Sequence, residues 1–342
     1  MSKPKNITIH DIAQKLNITA STVSRSLNDN PRISDQTKKK VIKLAKELNY
    51  KPNNVASALR KGKTQIIGML VPSINRAFFS SIVRGVEEVS NTLDYHVIVS
   101  QSYEDYDNEK KAIKAFLNAQ VSGIIASISK TTKDYSHYQE VIDSGIPLVL
   151  FDRTTPLLQT GQVVIDDYQG GYMATSHLIE QGCSKIVHFT SERKIDIYKE
   201  RYSGYATALE NNGIKLDESL VFGSHLQLED GRRLAIELLE SKIKFDAIFS
   251  ASDYAAIGCI QVLKENNLRI PADVSIVGFS NEPFTSFSAP SLTSINQFPI
   301  EMGNTVADLF FSALKSDKKN EVLKKTIIQP QLIIRESSTK KP

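Results

Sequence analysis

Residues 7–30 read ITIHDIAQKLNITASTVSRSLNDN. Thr8 and Asp11 stand three apart, the spacing at which a hydroxyl and an acidic side chain satisfy each other's backbone N–H groups, so a helix starts after Thr8. Ile9, Ile12, Ala13 and Leu16 then follow the i, i+3, i+4, i+7 pattern of one helical face. Asn17 and Ile18 make a short turn, and Thr19 caps a second helix from Ala20 to Leu27. Asn28, Asp29, Asn30 and Pro31 break the chain. Ser34 opens a third helix in which Val41, Leu44, Ala45 and Leu48 repeat the stripe. It ends near Asn49, ahead of the pre-proline Lys51.

Three short helices with a tight turn between the first two follow the helix-turn-helix plan, although a three-helix bundle with another task needs the same stripes. On the second helix Val23 and Leu27 face inward, which leaves Ser21, Thr22, Ser24 and Arg25 outside. Hydroxyls there can bond phosphates or base edges, and an arginine can reach O6 and N7 of guanine. Charge points the same way. Residues 1–63 hold fourteen Lys/Arg and four acids, net +10, so the rest of a chain of net charge +4 carries −6. A basic block on an acidic body is the footprint of a polyanion binder.

The runs Ile7 to Leu16, Ser21 to Asn28 and Leu48 to Asn53 resemble, in order and spacing, the headpiece of the LacI/GalR (lactose repressor-like) family. The resemblance implies that the Ala20–Leu27 helix enters the major groove of double-stranded DNA, with Ala20, Ser21 and Arg25 carrying most of the operator choice. It also implies a hinge helix over Asn53–Arg60 that orders only on DNA. In that hinge Leu59 is expected to wedge into a base step of the minor groove, a plain linker leucine being the alternative. The expected DNA-binding set is Thr8, Ala20, Ser21, Thr22, Ser24, Arg25, Asn28, Asn53, Ala56 and Leu59. Gly62, Lys63 and Thr64 do not form a phosphate loop: Ser57 stands where that motif needs glycine, and the stretch precedes a strand.

From Gln65 short β-branched strands alternate with amphipathic helices. Strands are expected at 66–71, 95–100, 123–127 and 147–151, with helices near 78–93, 107–119 and 135–144. A second series follows, with strands at 185–190, 219–223, 246–250 and 275–279 and helices near 200–212, 229–240 and 253–267. A last helix, Ile300–Leu314, and a strand, Lys325–Ile334, are expected to return to the first series. Alternating βα units imply doubly wound parallel sheets, and two series imply two lobes. This α/β layout resembles the two-lobed periplasmic-binding-protein-like domain of the same family. The expected division is a headpiece over 1–52, a hinge and linker over 53–64, and an effector and dimerisation domain over 65–342. Lobe 1 of that domain takes about 65–165 and 296–336, and lobe 2 about 166–293.

In such sheets ligands bind beyond the C-terminal strand ends, here the cleft between lobes. Asn75, Phe78 and Phe79 follow the first strand, and Phe and Tyr must do any ring stacking because the chain has no Trp. Asp152 and Arg153 end the fourth strand. They resemble the pair that holds sugar hydroxyls in ribose-type binding proteins, with a structural ion pair as the alternative. By the same resemblance Arg201 and Gln297 contact the effector. Ser252 replaces a usual asparagine and Ser280 a usual aspartate, and a serine cannot act as a two-point carboxylate. A larger sugar, a sugar phosphate or another metabolite therefore stays open. Asp253 completes the candidate effector set and is also read as capping the helix after it.

No cofactor, metal site or catalytic constellation is expected. GxSxG, HExxH and a post-strand GxGxxG are absent, and the six histidines are scattered. His10 reads as a surface residue and His188 as a packed core residue. Cys183 and Cys259 stand far apart and read as buried thiols. With no long apolar run and no signal-peptide pattern, the chain is expected in the cytoplasm. The short hinge and the family imply a homodimer on a near-palindromic operator. No leucine heptad follows Ile334, so no tetramer is expected. Three roles stay open: a regulator under a sugar-like effector, one whose body binds a partner protein, and, last, a sugar carrier.

Overall fold

The first helix, α1 (Ile9–Leu16), opens with the reciprocal cap that the sequence specifies. The Asp11 carboxylate accepts the Thr8 backbone N–H at 2.7 Å, and the Thr8 hydroxyl accepts that of Asp11 at 3.4 Å. Asn17 ends it at φ +51°, a left-handed conformation that asparagine tolerates. Helix α2 (Ala20–Leu27) is capped by Thr19 and α3 (Asp35–Glu47) by Ser34. Two helices of eight residues are too short to persist alone in water. Packing holds them: Ile12, Val23 and Val41 are fully buried, with Ala13 and Ala45 beside them and Leu16, Leu27, Leu44 and Tyr50 around the edge.

The computed structural model describes residues 7–50, 64–192, 195–241, 243–316 and 324–339. The chain divides into two units, 1–64 and 65–342. The expected hinge residues Asn53, Ala56 and Leu59 lie outside the described residues.

In the second unit, lobe 1 is built on β1 (Ile66–Val71), β2 (His96–Gln101), β3 (Gly123–Ala126), β4 (Leu148–Phe151) and β5 (Gly161–Ile165). Helices α4 (Ala77–Asn91), α5 (Tyr106–Asn118) and α6 (Ser136–Asp143) connect the first four of these strands. Lobe 2 carries α7 (Asp167–Glu180), β6 (Ile186–Thr190), α8 (Asp196–Asn211), β7 (Val221–Gly223), α9 (Leu228–Glu240), β8 (Ala247–Ser250), α10 (Asp253–Glu265), β9 (Ser275–Ser280) and β10 (Thr293–Asn296). Helix α11 (Pro299–Lys315) returns to pack on α4 and lobe 1, followed by β11 (Lys325–Ile328) and β12 (Gln331–Ile333).

The first sheet has the order β11-β5-β4-β3-β1-β2 and is parallel throughout. The second has the order β12-β10-β9-β8-β6-β7, with only β12 antiparallel. The chain therefore passes between lobes three times, at Asp166, at Gln297–Phe298 and at Gln329–Pro330. The single strand expected over Lys325–Ile334 is two. Pro330 has no N–H to give a ladder, so pairing stops there and β12 joins lobe 2 beside β10.

Three elements lie outside the pattern anticipated from sequence: β5, α7 and β10. Helix α7 shows no clear apolar stripe because it packs through small and polar residues, burying Gly170, Gly171, Ala174 and Thr175. A Cβ on Gly171 would stand 2.2 Å from the Arg201 carbonyl oxygen, so α7 and α8 approach closely only with glycine there. His188 lies in β6, stacked on Phe249 at 4.6 Å and on Tyr205 at 4.9 Å. Cys183 and Cys259 are buried free thiols. Among the described residues no helix is long and apolar enough to cross a membrane.

Truncating the central Ile12 to alanine removes core from a small unit, where such changes cost about 2–5 kcal/mol. Differential calorimetry of Ile12→Ala is expected to lose or sharply lower the headpiece transition and leave that of 65–342 in place. An unchanged headpiece melt would show that α1 is not held by this core.

Candidate functional site

Helix α2 presents one hydroxyl-rich end. The Thr19 hydroxyl accepts the Thr22 N–H at 3.1 Å and lies 2.8 Å from the Ser21 hydroxyl and 2.9 Å from that of Thr22. Ser21 and Arg25, one turn apart, are exposed, while Ala20, Thr22 and Ser24 are half-buried. Ser26, unassigned from sequence, is buried and donates to the Thr22 carbonyl at 2.8 Å. Thr8 and Asn28 are engaged as caps, the Asn28 amide donating to the Ser24 carbonyl at 2.8 Å. The outward face is thus an arginine and small hydroxyls on a helix whose N–H groups point outward at its start, an arrangement suited to phosphate and base edges.

In the second unit the strand ends of both lobes meet around a cavity of about 240 Å³. Nine of the ten anticipated residues line it: Asn75, Phe78, Phe79, Asp152, Arg153, Arg201, Ser252, Ser280 and Gln297. Several lining residues adopt backbone conformations that non-glycine residues avoid: Glu104 (φ +60°), Asp152 (φ +57°), Leu226 (φ +60°) and Ser280 (φ +121°). Each such residue costs on the order of 1–3 kcal/mol, and strain of this kind collects at binding sites.

The charges are paired with one another. Arg153 donates to both oxygens of Glu104, at 2.7 and 3.0 Å, and lies 3.6 Å from Asp152. Burial alone would raise the Glu104 carboxyl, but Arg153 and Lys130 hold it below the usual carboxylate range. Burial raises Asp152 despite Arg153 and Arg201. Arg201 donates to Asp167 at 2.8 Å, to the Ala251 carbonyl at 3.0 Å and to Gln297 at 3.5 Å, and its guanidinium lies 3.7 Å over the Phe279 ring. Burial pushes Asp167 up to about 7 against the pull of Arg201. Gln297 donates to the Ser280 hydroxyl at 3.0 Å.

Asp253 is the exception. It is the first residue of α10, Ser252 is the cap residue, and the Asp253 carboxylate does not line the cavity. Instead it accepts the Ser294 hydroxyl at 2.6 Å and the Glu282 N–H at 2.8 Å, fastening the loop after β9. Gly278 makes room, since a Cβ there would stand 2.1 Å from that carboxylate. A strand-end position does not reveal which side a carboxylate turns to.

Residues 8–53 match the family described as bacterial regulatory proteins, lacI family, and residues 175–338 match a periplasmic binding protein-like domain. The HTH-type transcriptional regulator RegA of Clostridium saccharobutylicum is 33% identical over 331 residues, spanning 96% of this chain and 98% of RegA. The chain belongs to the lacI family of DNA-binding transcriptional regulators. Two solved structures are similar in fold. A lac repressor dimer bound to operator and the anti-inducer ONPF has a TM-score of 0.86 at 24% identity, covering 98% of this chain and 99% of that one. The complex of the transcriptional regulator CelR with cellobiose has a TM-score of 0.73 at 26% identity, covering 97% and 99%.

This regulator also carries contacts across the cleft that its motifs did not reveal. Arg76 of lobe 1 hydrogen-bonds Gln227 and lies 3.6 Å over the Tyr254 ring, both of lobe 2. The Glu282 carboxyl of lobe 2 is raised by burial and pulled back in part by the backbone N–H groups of Phe78 and Ala77 at the start of α4 in lobe 1. A carboxylate there offsets the unpaired N–H groups and the positive end of the helix. Glu282→Ala is expected to speed hydrogen exchange at the Ala77 and Phe78 amides several-fold, without doing so in the interior of α7. Equal protection in the variant would rule out this cap.

Burial pushes Asp253 up to about 7, from 3.8 for an ordinary aspartate, with Ser294 and the Glu282 amide pulling it back only in part. The folded chain keeps a proton that the unfolded chain releases, so this group favours folding fully below about pH 4 and loses that contribution as pH rises to 7. The shift corresponds to roughly 4 kcal/mol across that window. Asp253→Asn, neutral throughout, is expected to show a flatter dependence of Tm on pH between 4 and 7. An unaltered slope would count against the assignment.

Proposed function

We propose that the protein is a homodimeric repressor in which two headpieces read a near-palindromic operator and a sugar-like effector in the inter-lobe cleft sets their spacing. The observation that carries this reading is the cavity bounded by both lobes, where Asp152, Arg153, Arg201, Ser280 and Gln297 converge. The headpiece takes residues 1–52, the hinge 53–64 with Asn53, Ala56 and Leu59 against DNA, and the effector and dimerisation domain 65–342. Its DNA-facing residues are Ala20, Ser21, Thr22, Ser24 and Arg25, with Thr8 and Asn28 fixing the helix ends. CelR, similar over nearly the whole chain, is known with cellobiose, which supports a sugar as the effector class. The role is regulatory and not catalytic, exercised in the cytoplasm where the operator is. The charged groups of the cleft serve to hold hydroxyls, since each buried hydroxyl needs a partner.

DNA binding should fall steeply with salt as counterions are released. For a site selected from a random DNA pool, Arg25→Ala is expected to lose roughly 5- to 150-fold in affinity, the worth of one base contact, and much less on unrelated DNA. A sugar that binds the cleft must change operator affinity by the same factor as operator changes sugar affinity. Fluorescence anisotropy with labelled DNA reads all three. Equal losses on selected and unrelated DNA would demote Arg25 to a phosphate contact.

A further inference from the structure

The 240 Å³ cavity is small for an effector site, since small-molecule pockets run about 300–1,000 Å³. A second cavity of about 680 Å³ adjoins it and shares Lys130, Asp152, Arg153 and Ile197 with it. The shared residues come from both lobes: Asp152 and Arg153 follow β4 of lobe 1, and Ile197 lies in the first turn of α8 of lobe 2. Joined, the two fall within the usual range.

Their chemistry differs. In the inner cavity Arg153 is held by Glu104 at two points, and Arg201 by Asp167, Ala251 and Gln297. Arg76 is taken by Gln227 and the Tyr254 ring. No guanidinium is left over for a phosphate among these three. In the outer cavity the side chains of Thr154, Asp196 and Glu200 form no hydrogen bond or ion pair among the described residues. Asp166 adds a further carboxylate, and Tyr135 and Tyr168 supply ring faces. Leu157, 74% exposed, and Ile327, 50% exposed, edge the same cavity and leave apolar surface for a ligand to cover. Hydroxyls, carboxylates and aromatic faces suit the polar edges and C–H faces of a sugar ring, and the five carboxylates of the outer lining outnumber its cations Lys130, Arg153 and Lys325, which disfavours an anion.

We propose that the effector is an uncharged saccharide of at least two units, one ring in the inner cavity and the next in the outer one. This rests on the reading of the cleft as a sugar site. The test is calorimetric titration of the full chain with glucose, galactose and xylose, with cellobiose, maltose, lactose and xylobiose, and with glucose 6-phosphate. At least one disaccharide is expected to bind tenfold or more tightly than every monosaccharide and the phosphate. Thr154→Phe, which fills the outer cavity, is expected to abolish that advantage and leave monosaccharide binding as it was. Glu200→Ala, at an exposed position, is expected to weaken the disaccharide several-fold and serves if the first variant does not fold. A monosaccharide or the phosphate binding as tightly as any disaccharide would overturn the proposal and leave the cleft a sugar site. So would outer-cavity variants without effect on the disaccharide. Silence from every sugar would overturn the reading of the cleft itself, and this proposal with it.

Discussion

The guanidinium of Arg201 reaches Asp167, the Ala251 carbonyl and Gln297 at once while lying on the Phe279 ring. Asp167 follows the first passage of the chain between lobes, and Gln297 is part of the second. One buried cation thus ties two of the three hinge points to the end of β8. Its partners are not interchangeable with water, because an arginine or carboxylate left buried and unpaired typically costs 3–5 kcal/mol. The relative setting of the lobes follows from this knot, and so does the shape of the cleft, since Gln297 passes the constraint on to Ser280. The glycine at 171 serves the same end by letting α8 bring Arg201 close to α7.

The headpiece was legible almost to the residue because its signals are local. Caps act across three positions, apolar stripes across seven, and both Thr8–Asp11 and Ile12–Val23–Val41 hold as the spacing requires. The body was legible wherever a helix has an apolar stripe or a strand a β-branched run. Helix α7 escaped because its interfaces are glycine, alanine and threonine, and with it went β5 before it and Asp167 at its start. The cleft's own partners are remote in sequence: Glu104 and Arg153 lie 49 residues apart, Asp167 and Arg201 34, Arg76 and Gln227 151. No local pattern encodes those pairings. A strand-end rule applied to β2 and β5 would have flagged Glu104 and Asp167, but not the inward turn of Asp253.

The inter-lobe contacts are of a size that allows switching. An arginine over a tyrosine ring contributes about 0.5–2 kcal/mol, and a carboxylate at a helix start a similar amount. Arg76 on Tyr254 and Glu282 at the start of α4 together therefore favour this arrangement of the lobes by a few kcal/mol. Couplings between sites in regulators run about 1–3 kcal/mol, and moving a two-state population from 1:99 to 99:1 takes about 5.5 kcal/mol of differential affinity. A ligand seated between Asp152 of lobe 1 and Ser280 of lobe 2 touches both lobes, so a modest preference for one arrangement suffices. Had the lobes been joined by an apolar interface instead of a few polar contacts, a small effector could not have opposed it. Four of the residues with left-handed backbone, Glu104, Asp152, Leu226 and Ser280, line that same inter-lobe cavity, where such strain can serve binding.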